Sequence, residues 1–129
     1  MTAVLMAFAA VVKGQAEANT NSKKFVLVVR VPETYDTGLA KQVAPAWDEA
    51  VEYWKDQGAY VDSFPFPQPG YVIGGSDRQL HEGLLAAGGQ KVVSIVVLQA
   101  AGIAQANELA KWCPVLDYGG TVEVRERTR

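Results

Sequence analysis

The sequence predicts an α+β domain, in which one antiparallel sheet made from two β-α-β units carries both of its helices on one face. Residues 25–31 and 92–98 are two runs rich in β-branched side chains, which is typical of buried strands. Each run is followed by a segment whose apolar residues recur at helical spacing. With 129 residues, the chain corresponds to one domain over residues 24–129, preceded by a segment over residues 1–23.

The N-terminal segment allows two interpretations. Residues 3–12 are apolar and residues 16–18 read Ala-Glu-Ala, so residues 1–18 have the order of a secretory signal with a cleavage site. Alternatively, residues 1–18 form an Ala-rich helix. The first interpretation predicts an exported or periplasmic protein and the second a cytoplasmic one. In neither does the apolar stretch reach the roughly 20 residues that span a bilayer.

The first β-α pair is predicted over residues 25–57. The strand Phe25–Val31 stops before Pro32 and contains one polar residue, Arg30. A helix is expected over Pro45–Gln57, because proline suits the first helical position. A second possibility extends this helix back through Thr37–Val43, with a bend at the proline. Its apolar stripe, which we expect to be buried, is Trp47, Ala50, Val51 and Trp54.

The middle of the chain predicts an edge strand and little other regular structure. Ala59–Phe66 alternates, with Tyr60, Asp62 and Phe64 on one face, and the prolines at 65, 67 and 69 exclude a central position. Tyr71–Ile73 is expected to be a short arm that pairs with this strand. Residues 76–90 are mixed and glycine-rich, which indicates a loop with at most one helical turn.

The second β-α-β unit fills the remainder of the chain. The strand 92–98 is apolar on both faces, and a helix follows over Ile103–Trp112 before Pro114. The last strand, Thr121–Arg125, alternates with valines inward and charged residues outward. The inward stripe of the helix comprises Ile103, Ala106, Leu109, Ala110 and Cys113.

This order of elements is the ferredoxin-like arrangement, βαββαβ, with two helices on one face of an antiparallel sheet. The helices cover only one face, whereas strands 25–31 and 92–98 are apolar on both. We therefore expect the other face to be buried by a second copy of the chain, in a homodimer formed through the sheet.

Two stretches carry a resemblance to a known family. The run Glu108–Pro114 followed by Gly119–Arg125, together with the segment from Ala46 to Gly58, resembles the YCII-related (DGPF-domain) proteins over residues 24–126. The resemblance implies a dimeric α/β barrel, in which two ferredoxin-like sheets pack face to face around a small-molecule cavity. The family's Asp-Gly-Pro-Phe signature falls near Glu82–Leu85, where only the glycine is kept. No catalytic role is carried over by motif.

Candidate site residues come from the residue types alone. His81 is the only histidine and the natural acid–base group, and Asp62 lies between aromatic residues, where its pKa could be raised; these two are the catalytic candidates. Both have a simpler interpretation as solvated side chains. Cys113 is expected to be a buried, inert thiol. The candidate ligand-binding residues are Arg30, Asp62, Phe64, Tyr71 and His81.

Composition excludes several classes of function. A net charge of −2 and a pI near 5.3 give no electrostatic basis for binding nucleic acid. One His and one Cys exclude most zinc sites, and no phosphate-binding glycine motif is present, so we expect neither a metal nor a cofactor. The resulting hypothesis is a small-molecule-binding or accessory protein that forms a homodimer and binds a small organic ligand. The alternative is a cofactor-free enzyme of the lyase or isomerase type, using acid–base chemistry.

Overall fold

The computed structural model describes residues 22–83 and 86–128, so both interpretations of residues 1–18 lie outside the described residues. The main sheet has the order β2-β6-β1-β7 with antiparallel neighbours, and short β5 pairs with β6 beyond the end of β2. Strands β3 and β4 form a separate antiparallel hairpin. The elements are β1 (Lys23–Pro32), α1 (Thr37–Asp56), β2 (Tyr60–Pro65), β3 (Tyr71–Gly74), β4 (Gln79–Glu82), β5 (Ala86–Ala87), β6 (Gln90–Ala100), α2 (Ile103–Ala110), a 3₁₀ helix (Pro114–Tyr118) and β7 (Thr121–Arg127).

The predicted α+β fold is present, with the strand order that a ferredoxin-like βαββαβ chain gives. Helices α1 and α2 lie against the same face of the sheet, which we call the inner face. The inner-face residues Phe25, Leu27, Val29 and Val31 of β1 are fully buried. Trp54 of α1 joins them, and its Nε1–H donates a hydrogen bond to the Leu109 carbonyl oxygen of α2 at 2.9 Å, which ties the two helices together.

Helix α1 is longer than the prediction that began it at Pro45. It begins at Thr37, after Asp36 caps it by accepting a hydrogen bond from the Leu39 N–H at 2.9 Å. Pro45 is exposed within the helix. The extension through Thr37–Val43 is therefore confirmed, because the capping residue sets the start more strongly than the proline does.

Two other expectations about the elements are wrong. Tyr71–Gly74 pairs with Gln79–Glu82 rather than with the 59–66 strand, so residues 76–90 contain strands instead of a loop with a helical turn. Residues 79–82 contain one apolar residue and no β-branched residue, so they give little sequence signal for a strand. Ile103 is 49% exposed at the first turn of α2, whereas the rest of its predicted stripe is buried.

Candidate functional site

A cleft of about 760 Å³ opens between helix α1 and the inner face of the sheet. One side is the N-terminal half of α1 and the preceding loop, and the other is the first half of β6. The end of β2 and the proline-rich segment 65–69 complete it. This volume lies within the range of about 300–1,000 Å³ that is usual for small-molecule sites.

Aromatic side chains form much of the cleft. Tyr35 is buried at the end of the β1–α1 loop, and burial, together with nearby Tyr118, raises the pKa of its phenol. Trp47 is half-buried and packs edge-to-face on Trp54, with ring centroids 6.4 Å apart. Phe66 is exposed at the opposite side of the cleft. These rings supply flat apolar surface for an organic ligand.

Polar groups are few inside the cleft and more frequent around it. Ser94 is the buried polar residue of the sheet, on the inner face opposite Val29. Lys91 is half-buried on the same face, opposite Val31. The three carboxylates that line the cleft are exposed, namely Glu33, Asp36 and Asp48.

A β-bulge at Val61 decides which side chains of β2 reach this cleft. Tyr60 pairs with Leu98 on the inner face, but Asp62 pairs with Val97, so the strand gains one residue between them. Tyr60 therefore shares its face with Ser63, and their hydroxyl oxygens are 2.6 Å apart. The prediction that Tyr60, Asp62 and Phe64 share one face is wrong, because a bulge shifts the alternation by one.

Asp62 and Phe64 consequently lie on the outer face of the sheet, which neither α1 nor α2 covers. Both are exposed, and the Asp62 carboxylate accepts a hydrogen bond from the Ser63 N–H at 2.8 Å. Arg30 lies on this outer face as well. Its Nη1 is 2.7 Å from Glu123 Oε1, and Arg125 Nη1 is 3.0 Å from Glu123 Oε2. These hydrogen bonds from two arginines lower the pKa of Glu123.

His81 and Tyr71 lie on the β3–β4 hairpin. His81 is exposed on β4 opposite Val72, and Tyr71 is 64% exposed on β3 opposite Glu82. Within the described residues, no hydrogen bond joins His81 to Asp62. None of the five candidate ligand-binding residues lines the cleft.

Sequence reasoning missed Lys91 and Ser94 as site residues. Ser94 is the one polar residue in the run 92–98, and that interruption was the available signal. Lys91 gave no such signal, because it joins Ser94 on the inner face only through the register shift between Val29 and Arg30, where Val29 pairs with Ser94 but Arg30 pairs with Val92. The helical spacing predicts Trp47 to be buried in the core. In the structure Trp47 packs on Trp54 and also lines the cleft.

Cys113 is buried as predicted. Burial raises the pKa of its thiol to about 12, so the reactive thiolate is scarce at neutral pH. It lies beside a second cavity of about 460 Å³ under Trp112 and the 3₁₀ helix. The lysine of that cavity, Lys111, is already paired with Glu108 at 2.9 Å.

The described part of the chain holds no cluster of three or more His, Cys, Asp or Glu side chains placed to bind a metal ion. No helix in residues 22–83 and 86–128 has both the length and the apolar character needed to cross a membrane. Comparison of the sequence with models of known families finds no match, and comparison with curated proteins finds no relative. The resemblance to YCII-related proteins thus stays a prediction.

Proposed function

We propose that this protein is a homodimeric small-molecule-binding protein of the YCII-related kind, whose ligand site is the cleft between α1 and the inner face rather than the space between two sheets that the resemblance implies. The observation that carries the proposal is the cleft itself, whose volume of about 760 Å³ accommodates a ligand of moderate size. Aromatic walls with a few polar groups are the usual lining of such sites.

Binding is favoured over catalysis because the acid–base candidates lie elsewhere. A general acid or base must come within hydrogen-bond reach of its substrate. His81 lies on the hairpin and Asp62 on the outer face, and neither lines the cleft. The cleft therefore supplies surface and orientation, without a histidine of its own.

The ligand site is tested by thermal unfolding in the presence of a library of small organic compounds. A ligand at a hundredfold excess over its Kd stabilises the native state by about 2.7 kcal/mol, which raises the Tm measurably. Ala44, exposed on α1 at the cleft, allows a blocking variant, Ala44→Trp. The matched control is Ala104→Trp, an exposed position on α2 away from the cleft.

We expect at least one compound to raise the Tm of the native protein and of Ala104→Trp, but not that of Ala44→Trp. An equal shift in Ala44→Trp would place the ligand elsewhere. If no compound shifts the Tm, the small-molecule function is contradicted.

The homodimer is supported by the outer face of the sheet. Its centre is apolar and half-exposed, whereas its β7 side carries the ion pairs of Glu123 with Arg30 and Arg125. An apolar centre with a charged rim is the usual anatomy of a protein interface. A second copy of the chain is the partner most expected on this face, because most oligomers are symmetric assemblies of identical chains. The apolar centre comprises Val26, Val28, Val92, Ile95 and Val97.

Size-exclusion chromatography with light scattering tests the dimer. We expect twice the chain mass of 13.9 kDa at micromolar concentration. Ile95→Lys at the centre of the outer face should yield a monomer, because two buried, unpaired ammonium groups oppose association. Ile103→Lys makes the same change at an exposed position of α2 and should stay dimeric. A monomeric native protein would contradict the proposal, as would a dimer that Ile95→Lys leaves intact.

A further inference from the structure

Ser94 is a buried hydroxyl group without a hydrogen-bond partner among the described residues. It is 8% exposed, lines the cleft, and has valines and isoleucine as its neighbours along β6. Buried polar groups are nearly always hydrogen-bonded, and leaving one unsatisfied is unfavourable. A ligand acceptor in the cleft would satisfy this hydroxyl.

Lys91 lies on the same inner face, near the start of β6. It is half-buried and lines the cleft, yet no carboxylate of the described residues comes within ion-pair distance of its ammonium. Lys91 and Ser94 thus give the β6 side of the cleft two hydrogen-bond donors, one of them charged.

The carboxylates around the cleft do not offset these donors. Asp36 is committed to the Leu39 N–H at the start of α1, and Glu33 and Asp48 are exposed to solvent, which screens their charge. Lys91 is more buried than these three carboxylates, so its charge is less screened than theirs. The polar groups inside the cleft therefore favour a ligand whose hydrogen-bond acceptor carries negative charge.

We propose that the cleft binds an organic anion. Its carboxylate, or a similar anionic group, contacts Lys91 and Ser94, and its apolar, planar body packs against Tyr35, Trp47 and Phe66. This inference rests on the proposed function, since it names the class of ligand that the same cleft takes.

Three probes that share a naphthalene ring and carry a negative, zero or positive charge test the inference: 2-naphthoate, 2-naphthamide and 2-naphthylmethylammonium. Isothermal titration calorimetry at neutral pH measures their affinities for the full chain. We expect the naphthoate to bind about tenfold more tightly than either of the others, as a charge-assisted hydrogen bond gives.

Variants of the two donors identify the contact. Lys91→Met should weaken naphthoate binding about tenfold and change naphthamide binding less than about twofold, while Lys91→Arg keeps the affinity. Ser94→Ala should weaken naphthoate binding about threefold without loss of stability, because it removes an unsatisfied group. Lys41→Met removes the same charge from an exposed position of α1 outside the cleft and should change nothing.

The outcomes separate this inference from the function on which it rests. Equal affinities for the three probes, or an unchanged affinity in Lys91→Met, would overturn the choice of an anion. The small-molecule function would nevertheless stand if the probes bound to the native protein and Ala44→Trp abolished their binding. If none of the three probes bound, the proposal of an organic anion would be overturned. If no compound of the wider library bound either, the small-molecule function would be overturned as well.

Discussion

The two faces of the sheet are built from the same residue types and differ in what covers them. On β1, Val29 is fully buried on the inner face, whereas its neighbour Val28 is half-exposed on the outer face. On β6, Leu98 is buried and Val97 is half-exposed. Apolar composition thus identifies a strand that could be buried on both faces, but the helices determine which face this chain buries by itself.

The difference also divides the chemistry of the molecule. The inner face holds the cleft, with a buried hydroxyl and an ammonium that has no carboxylate partner among the described residues. The outer face satisfies its charges in pairs, through Glu123 and its two arginines. Unsatisfied polar groups point to ligands, and satisfied ones surround an apolar patch that is suited to association.

The helix-covered side should protect its thiol strongly. We expect iodoacetamide to modify Cys113 at least about a thousandfold more slowly in the native protein than in urea, because a buried thiol reacts only after opening. Mass spectrometry of the time course measures the two rates. Rapid labelling of the native protein would show that the layer beneath Trp112 opens easily, and would weaken the contrast between the faces.

A matched pair of valines compares the faces directly. Val29→Ala should lower the free energy of unfolding by about 2–3 kcal/mol, because it removes buried methyl groups and leaves a cavity. Val28→Ala should lower the free energy of unfolding of the monomer by about 1 kcal/mol or less. Urea denaturation measures both variants.

The same pair sharpens the dimer proposal. If the outer face associates, the cost of Val28→Ala should rise with protein concentration, since dimerisation is linked to folding. The cost of Val29→Ala should depend on concentration much less. Equal costs for the two variants at low concentration would contradict the assignment of the faces.

Gly120 lies at the entry to β7, where the chain passes close to β1. A Cβ at this position would lie 2.6 Å from the Arg30 carbonyl oxygen and 2.8 Å from Val115 Cβ. Gly120→Ala should therefore lower the free energy of unfolding by about 1–3 kcal/mol. Gly102→Ala is the control, since nothing lies within 4 Å of its Cβ. Equal thermal unfolding of the two variants would contradict this close approach.

The smallest effect belongs to the outer-face ion pairs. Arg30 and Arg125 lower the pKa of Glu123, so the pairs stabilise the native state above the usual glutamate pKa near 4.5. This contribution is lost as the pH falls through that value towards the lowered one. The difference in unfolding free energy between the native protein and Glu123→Gln should be small and constant above pH 5, and shrink in acid.

A control for this titration is Glu52→Gln, an exposed position on α1. Its difference from the native protein should not follow the same course with pH. If the difference in unfolding free energy between the native protein and Glu123→Gln does not shrink below about pH 4.5, the ion pairs of Glu123 with the two arginines do not form in solution.

The sequence predicted those parts of the fold that follow from periodicity. The runs 25–31 and 92–98 and the stripe containing Trp54 are regular, and each forms the expected element. Tyr71–Ile73 was predicted as a strand, but β4 and its pairing with β3 were not, because Gln79–Glu82 is exposed throughout and has no alternating pattern.

The site was harder to predict than the fold. The cleft depends on where α1 begins, and the Asp36 cap rather than Pro45 decides that. It also depends on two bulges, at Val61 and between Val29 and Arg30, which are set by strand pairing. Asp62 was proposed as a site residue on the alternation that the first of these bulges interrupts.

The extra residue at Val61 also makes the orientation of half a strand depend on a single codon. Deleting Val61 would restore one continuous alternation through β2, so either Tyr60 would turn outward or Asp62 and Phe64 would turn towards α1. In the second case an acidic group and a phenyl ring would enter the cleft without any change of residue type. Loss of one triplet would thus change the lining of the proposed ligand site at two positions at once.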